Sequence, residues 1–207
     1  MAYASRVPWD TEATRRRLKE AAILEFGERG PDGATMERIA ERAGINKERL
    51  YNYFGDKRSL FETVLRDELD TLASAVRMDV ASLEDIGEFA GRTFDYHAAH
   101  PRLMRLLQWE ALSGGWVADE AIRTAIYQRK VEAIAAAQRA GVIDDEIEPA
   151  HLVFQLLSLA GWWFSVPQLA QMVTVADGDD PTEHARRRAS VVRAAQRLAL
   201  PRRPMAP

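Results

Sequence analysis

Residues 35–57 read TMERIAERAGINKERLYNYFGDK, and this stretch leaves the backbone few choices. Met36, Ile39, Ala40 and Ala43 stand at the i, i+3, i+4, i+7 spacing that lays one apolar stripe along a short helix over 35–43. Gly44 then stops that helix, and Ile45 is the single apolar residue of the break. A second helix starts at Asn46. It directs Leu50 and Phe54 inward and leaves Asn46, Lys47, Arg49, Tyr51, Asn52 and Tyr53 on the rest of its surface. Two short helices joined by a tight, glycine-containing turn make a helix-turn-helix, the arrangement that lays its second helix in the DNA major groove. The spacing therefore predicts a DNA-binding segment.

The net charge of −3 suits a DNA binder poorly until the chain is divided. Residues 1–60 hold 12 Lys or Arg against 10 Asp or Glu, whereas the remainder holds 16 against 21. A mildly basic head on an acidic body fits DNA contact through one end. The chain has no cysteine, which excludes a disulfide scaffold, a thiolate metal cage and a cysteine nucleophile, and fits a reducing cytoplasm. The first residues lack the apolar run of a signal peptide. The most apolar stretch, 152–166, is interrupted by Gln155 and Ser158 and stops at Pro167. It falls short of the roughly 20 residues a bilayer span needs. A buried helix is expected there, with no membrane association.

Nearly everything else reads as helix, so the predicted fold class is all-α. The first helix should begin at Asp10 or Thr11, carry Leu18, Ala22 and Phe26 on one face, and end near Gly30. Thr35, Asn46 and Asp56 are expected to cap the second, third and fourth helices. The fourth runs through about residue 77 with Leu60, Val64, Leu65, Leu69, Leu72 and Val76 inward. Further helices are expected at 82–100, 101–113, 119–140, 149–173 and 182–200, the penultimate one breaking at Pro167. Pro101 and Pro149 sit where first-turn prolines belong. The expected organisation is a three-helix DNA-binding domain over 1–56, a larger helical ligand-binding and dimerisation domain over 57–200, and a disordered tail over 201–207.

The N-terminal pattern resembles the TetR family of bacterial transcriptional regulators. The resemblance rests on the Thr35 cap, Ile39-Ala40, Ala43-Gly44-Ile45, Leu50-Tyr51, Tyr53-Phe54, Lys57 and Leu60-Phe61, and covers about the first 65 residues. It implies a homodimer that binds a palindromic operator in double-stranded DNA. It also implies a variable helical C-terminal part that binds a small-molecule effector, with repression relieved by that effector as the usual sign. Glu48 and Arg49 depart from the small residue and threonine many members carry, and Asn52 and Tyr53 stand where histidine is common, which bears on base preference.

Residue by residue, Asn46, Lys47, Arg49 and Asn52 can reach base edges: Arg and Lys suit guanine O6 and N7, Asn suits adenine. An ordinary solvated helix face would carry the same mix. The resemblance places Tyr51 and Tyr53 on sugar-phosphate, although either ring could instead pack on the first helix. Thr35 and Lys57 sit at helix N-termini, where free amides attract phosphate, and Thr35 can also cap. Arg6 and the Arg15-Arg16-Arg17 cluster could reach DNA or simply solvate the first helix.

The C-terminal region is rich in aromatics, and a cavity for an apolar or planar ligand would draw on Phe89, Phe94, His97, Trp109, Tyr127 and Trp163. The same residues could form a plain hydrophobic core. The helix from Pro149 is apolar nearly all round, so burial on all sides is expected. With the last helix, seamed by Ala185, Val192, Ala195, Leu198 and Ala199 and flanked outside by Arg186, Arg187, Arg193 and Arg197, it could form the homodimer interface. A fully intramolecular core is the alternative. No phosphate loop, GxSxG motif or metal-ligand spacing is present, so no catalytic residue, metal or cofactor is expected. The competing functional reading is a helical ligand-binding or assembly protein whose helix-turn-helix is only structural.

Overall fold

The structure, a computed structural model, describes residues 11–114, 117–176 and 180–201. The expected cap at Asp10, the candidate Arg6, and nearly all of the expected disordered tail over 201–207 lie outside the described residues. The elements in chain order are α1 (Thr11–Gly33), α2 (Met36–Ala43), α3 (Lys47–Phe54), α4 (Lys57–Ala75) and α5 (Leu83–Ala99), followed by α6 (Pro101–Leu112), α7 (Glu120–Arg139), α8 (Pro149–Ser165), α9 (Pro167–Thr174) and α10 (Pro181–Leu198). All are helices, as the periodicity predicts; residues 172–176, the one stretch with strand-like composition, close α9 instead.

The chain divides into two compact units. One comprises residues up to Leu69 together with Arg105–Ala118; the other comprises Asp70–Met104 and the chain from Asp119 onward. The unit boundaries fall inside α4 and α6, because packing and not helix termini decides where a compact unit ends. Residues 105–118 join the first unit through specific contacts. Arg105 Nε donates to Gly27 O at 3.1 Å, and the Trp109 ring lies on Gly30. Glu110, itself buried, accepts from Ala118 N at 2.7 Å.

In the first unit α1 buries Leu18, Ala21, Ala22 and Phe26, and breaks at Gly30, whose φ of 69° suits a residue without Cβ. Phe26 meets Phe61 of α4 edge to face, with centroids 5.1 Å apart. Leu60, Val64, Leu65 and Leu69 of α4 are buried, matching the expected stripe.

In the second unit α5 opens with a capping box: Asp85 N donates to Ser82 Oγ, and the Asp85 carboxylate accepts from Ser82 N at 2.8 Å. Gly87 and Gly91, one turn apart on α5, let α10 approach closely; added Cβ atoms would fall 2.9 Å from Gln196 and Arg188. Arg188 then ties α10 to Asp95 of α5 at 2.7 Å. The chain bends by 88° at Val166 between α8 and α9, because Pro167 cannot continue the hydrogen-bond ladder.

Two expectations are corrected in this unit. The chain alone does not bury α8 on every side: Leu152, Val153, Leu156 and Ala160 are buried, yet Phe154 is 72% exposed and Trp162 59%. Nor does Arg187 lie outside α10. It is mostly buried against Glu183 at 2.8 Å, stacks on Trp163 at 5.3 Å and donates to Thr174 Oγ1 at 3.1 Å. An arginine beside a buried carboxylate is drawn inward, which an apolar count along the helix does not register. Among the described residues no single helix is long and apolar enough to cross a membrane.

Candidate nucleic-acid interface

The turn between α2 and α3 follows from three local choices. Thr35 takes an extended conformation and its Oγ1 accepts from Arg38 N at 3.3 Å, starting α2. Gly44 adopts the left-handed region at φ 64° and its N–H donates to Glu41 O, while Ile45 N donates to Ala40 O at 2.9 Å. Asn46 Oδ1 then accepts from Glu48 N at 2.8 Å and starts α3. Leu50 and Phe54 are buried, so α3 is seated by one face.

Its other face carries the candidates. Asn46, Lys47, Tyr51 and Asn52 are exposed, and Arg49 and Tyr53 half-buried. The carbonyl of Asn46 is engaged by the cap, which leaves its amide nitrogen for a partner. Lys47 pairs with Glu37 of α2 and sits over the Tyr51 ring at 5.6 Å. The hydrogen bond between Lys47 and Glu37 raises the lysine above its ordinary pKa and lowers the glutamate below its own. Lys57, half-buried at the start of α4, donates to Ala34 O at 3.1 Å and Asp32 O at 3.3 Å, bracing the approach to Thr35. Asp56 caps α4 by accepting from Ser59 N, and that bond holds its carboxyl below the usual range.

The arginine cluster divides its roles. Arg17 donates to Ala43 O at 2.6 Å, closing the C-terminus of α2, and Arg15 lies over Phe54 at 5.3 Å. Arg16 faces Glu20 on the exposed side. Residue-type reasoning missed the group that clamps α1 to α2. Glu25 is 1% exposed and meets Arg38, Arg42 at 3.3 Å and Arg29 at 3.4 Å. The signal was present: Glu25 falls seven after Leu18 and three after Ala22, a charge set inside the apolar stripe.

The proposed ligand residues are only partly brought together, all in the second unit except one. Phe94 is buried with Phe164 at 5.0 Å and His184 at 5.1 Å, and His97 stands 6.1 Å from Phe164. His97 is buried, its Nδ1 has no hydrogen-bond partner, and burial first, then the charge of His100, lowers its pKa to about 4. Trp163 carries Arg187 on its face. Phe89 is buried beneath Lys130 at 5.1 Å, and Tyr127 is 38% exposed on α7. Trp109 is the exception: it belongs to the first unit, on Gly30. Trp109 is the one aromatic of α6, and the packing that seats it on Gly30 rather than beside the other candidates is a long-range property.

A capped two-helix motif with one buried seam and one polar outer face is the architecture of a DNA-binding regulator. Comparison with known proteins agrees. Residues 18–64 match the family described as bacterial regulatory proteins, tetR family, and residues 85–197 match the tetracyclin repressor-like C-terminal domain. The chain is similar to the HTH-type transcriptional repressor SCO4008 of Streptomyces coelicolor, 41% identical over 91% of this chain and 96% of that one. It is also similar to the HTH-type transcriptional regulator RutR of Escherichia coli K12, 31% identical over 70% of each. The crystal structure of SCO4942 from Streptomyces coelicolor superposes with a TM-score of 0.79 at 32% identity, covering 91% of this chain and 99% of that one. The chain belongs to the TetR family; it is a DNA-binding transcriptional regulator, a class without enzymatic activity.

Proposed function

We propose that this protein is a cytoplasmic homodimeric repressor that occupies a two-fold operator and is released when a small apolar or aromatic effector binds its second unit. The observation that carries the DNA reading is the division of α3: Leu50 and Phe54 are buried, while Asn46, Lys47, Tyr51 and Asn52 face outward. In this reading Asn46, Lys47, Arg49 and Asn52 approach base edges, and Thr35, Tyr51, Tyr53 and Lys57 contact sugar-phosphate. Repression is favoured over activation because SCO4008, named a repressor, aligns with 91% of the chain, whereas the activator FasR of Mycolicibacterium smegmatis aligns with 39%.

Dimerisation is assigned to α8 and α10. Phe154 and Trp162 stand eight residues apart, just over two turns, on one exposed face of α8. A second copy meeting the same face would form a self-complementary interface. Two recognition helices so related address half-sites about 34 Å, or one DNA turn, apart or somewhat more. The effector site is placed around Phe94, His97 and Phe164, where aromatic faces surround an unpartnered imidazole nitrogen. Phe89, Trp163 and Tyr127 belong to the same unit and are retained as candidates, while Trp109 is not.

The test is selection of bound duplexes from a genomic library at near-physiological salt. An enriched inverted repeat is the expected result. Salt-sensitive binding with no enriched motif would instead make the helix-turn-helix a scaffold of a ligand-binding or assembly protein.

A further inference from the structure

The end of α4 presents an unneutralised positive corner. Asp70, Ala73, Ser74 and Arg77 follow at i, i+3, i+4 and i+7, and with Ile126 and Arg129 of α7 they line an open groove of about 420 Å³. The carbonyls of Val76 and Arg77, just past the negative pole of the helix, already have cationic donors. Lys130 Nζ donates to Val76 O at 3.3 Å, and Arg92 Nη2 to Arg77 O at 3.2 Å. Lys130 lies over Phe89, and burial, followed by the positive charge of Arg129, lowers its pKa.

The side chains of Arg77 and Arg129 differ from these two. Neither makes a hydrogen bond or ion pair with any described residue. Asp70 is the acidic member of the lining, and it stands within α4, seven residues before Arg77. Ser74 Oγ is engaged by Asp70 O at 2.8 Å, so recognition of a ligand falls to the two guanidinium groups. A planar guanidinium matches an oxyanion with two parallel N–H donors, and two of them lining one groove, Arg77 just past the end of α4 and Arg129 on α7, match a molecule with two such groups.

We infer that the groove between α4 and α7 binds a small polyanion, a molecule carrying at least two carboxylate or phosphate groups, with Arg77 and Arg129 each holding one of them. This site is separate from the aromatic cluster around Phe94 and His97 and stands whether or not that cluster binds an effector.

Isothermal titration calorimetry of the full chain with citrate and with pyrophosphate, against sodium chloride of matched ionic strength, tests the assignment. Saturable binding of one anion per chain is expected. Arg77→Ala and Arg129→Ala should each weaken it at least about tenfold, the loss of one charge-assisted hydrogen bond. Lys47→Ala, in the helix-turn-helix, should leave it unchanged. Tighter binding of citrate would assign a carboxylate ligand, and tighter binding of pyrophosphate a phosphorylated one. Three results would overturn the inference: no heat beyond the salt control, undiminished binding in both arginine variants, or loss of binding in Lys47→Ala. A thermal shift equal in all variants would reflect exclusion of a kosmotropic anion from the surface and would count against it too.

Discussion

The indole of Trp109 rests directly on Gly30. A Cβ at residue 30 would fall 2.8 Å from ring atoms Cδ2 and Cε3, and the residue's φ is 69°. Two separate costs therefore attend Gly30→Ala: about 1–2 kcal/mol for a side chain in the left-handed region and about 1–3 kcal/mol for overpacking against the ring. Denaturant unfolding should show a loss of about 2–5 kcal/mol. In a Trp109→Ala background the same substitution should cost only the backbone part. An equal loss in both backgrounds would mean the ring does not hold the junction.

Glu25 clamps α1 to α2 through Arg38 and Arg42, with Arg29 of its own helix beside it. Removing one partner of a buried pair leaves the other charge stranded. Here the arginines are 33–53% exposed and can turn to water, so the cost is smaller. Glu25→Gln should destabilise the protein by about 1–3 kcal/mol. Because the clamp sets α2 under α3, operator affinity should fall as well, measured below the melting range. Unchanged stability would remove Glu25 from the architecture.

His97 makes stability depend on pH. Its folded pKa of about 4 lies below the ordinary 6.5, so the native imidazole stays neutral while the unfolded one takes up a proton. Stability from this residue is complete above pH 6.5, falls as the pH drops toward 4, and levels off below that. The span corresponds to about 2–4 kcal/mol. Subtracting the unfolding curve of His97→Leu from that of the parent between pH 4 and 7 isolates it. A flat difference would place the imidazole in contact with water.

Glu37 occupies Lys47, and a carboxylate beside the recognition helix also repels phosphate. Glu37→Gln should tighten DNA binding and steepen its salt dependence by about one released ion, as Lys47 becomes free to neutralise a phosphate. Fluorescence anisotropy at several salt concentrations reads both quantities. Weaker binding would show that the ion pair positions Lys47 rather than competing for it.

Phe154 and Trp162 are exposed in the single chain, so substituting them should not unfold it. Phe154→Arg with Trp162→Glu should yield folded monomers in sedimentation velocity, with operator affinity falling as the second half-site is lost. A variant that still sediments as a dimer would move the interface elsewhere.

Much of this molecule was readable along the chain because helices are local structures. Caps at Thr35, Asn46 and Asp56, breaks at Gly30, Gly44 and Pro167, and the buried stripe of α4 each depend on residues within about two turns. The outward face of α3 was legible for the same reason. Readings that depended on distant partners fared differently. An apolar count could not tell which sides of α8 a single chain leaves bare, nor that Glu183 draws Arg187 inward.

The sequence alone determined the succession of helices, their ends and the family, because a hydrogen-bond ladder, its caps and a fixed-spacing motif are written in neighbouring residues. Tertiary structure decided the rest: that residues 105–118 join the N-terminal unit, that Glu25 gathers three arginines, that Lys57 bonds to backbone before α2, and that Arg77 and Arg129 share a groove. Those contacts join residues dozens apart in the chain or hang on which rival partner lies nearer. Only close packing, which excludes water and brings such groups within bonding distance, chooses among them.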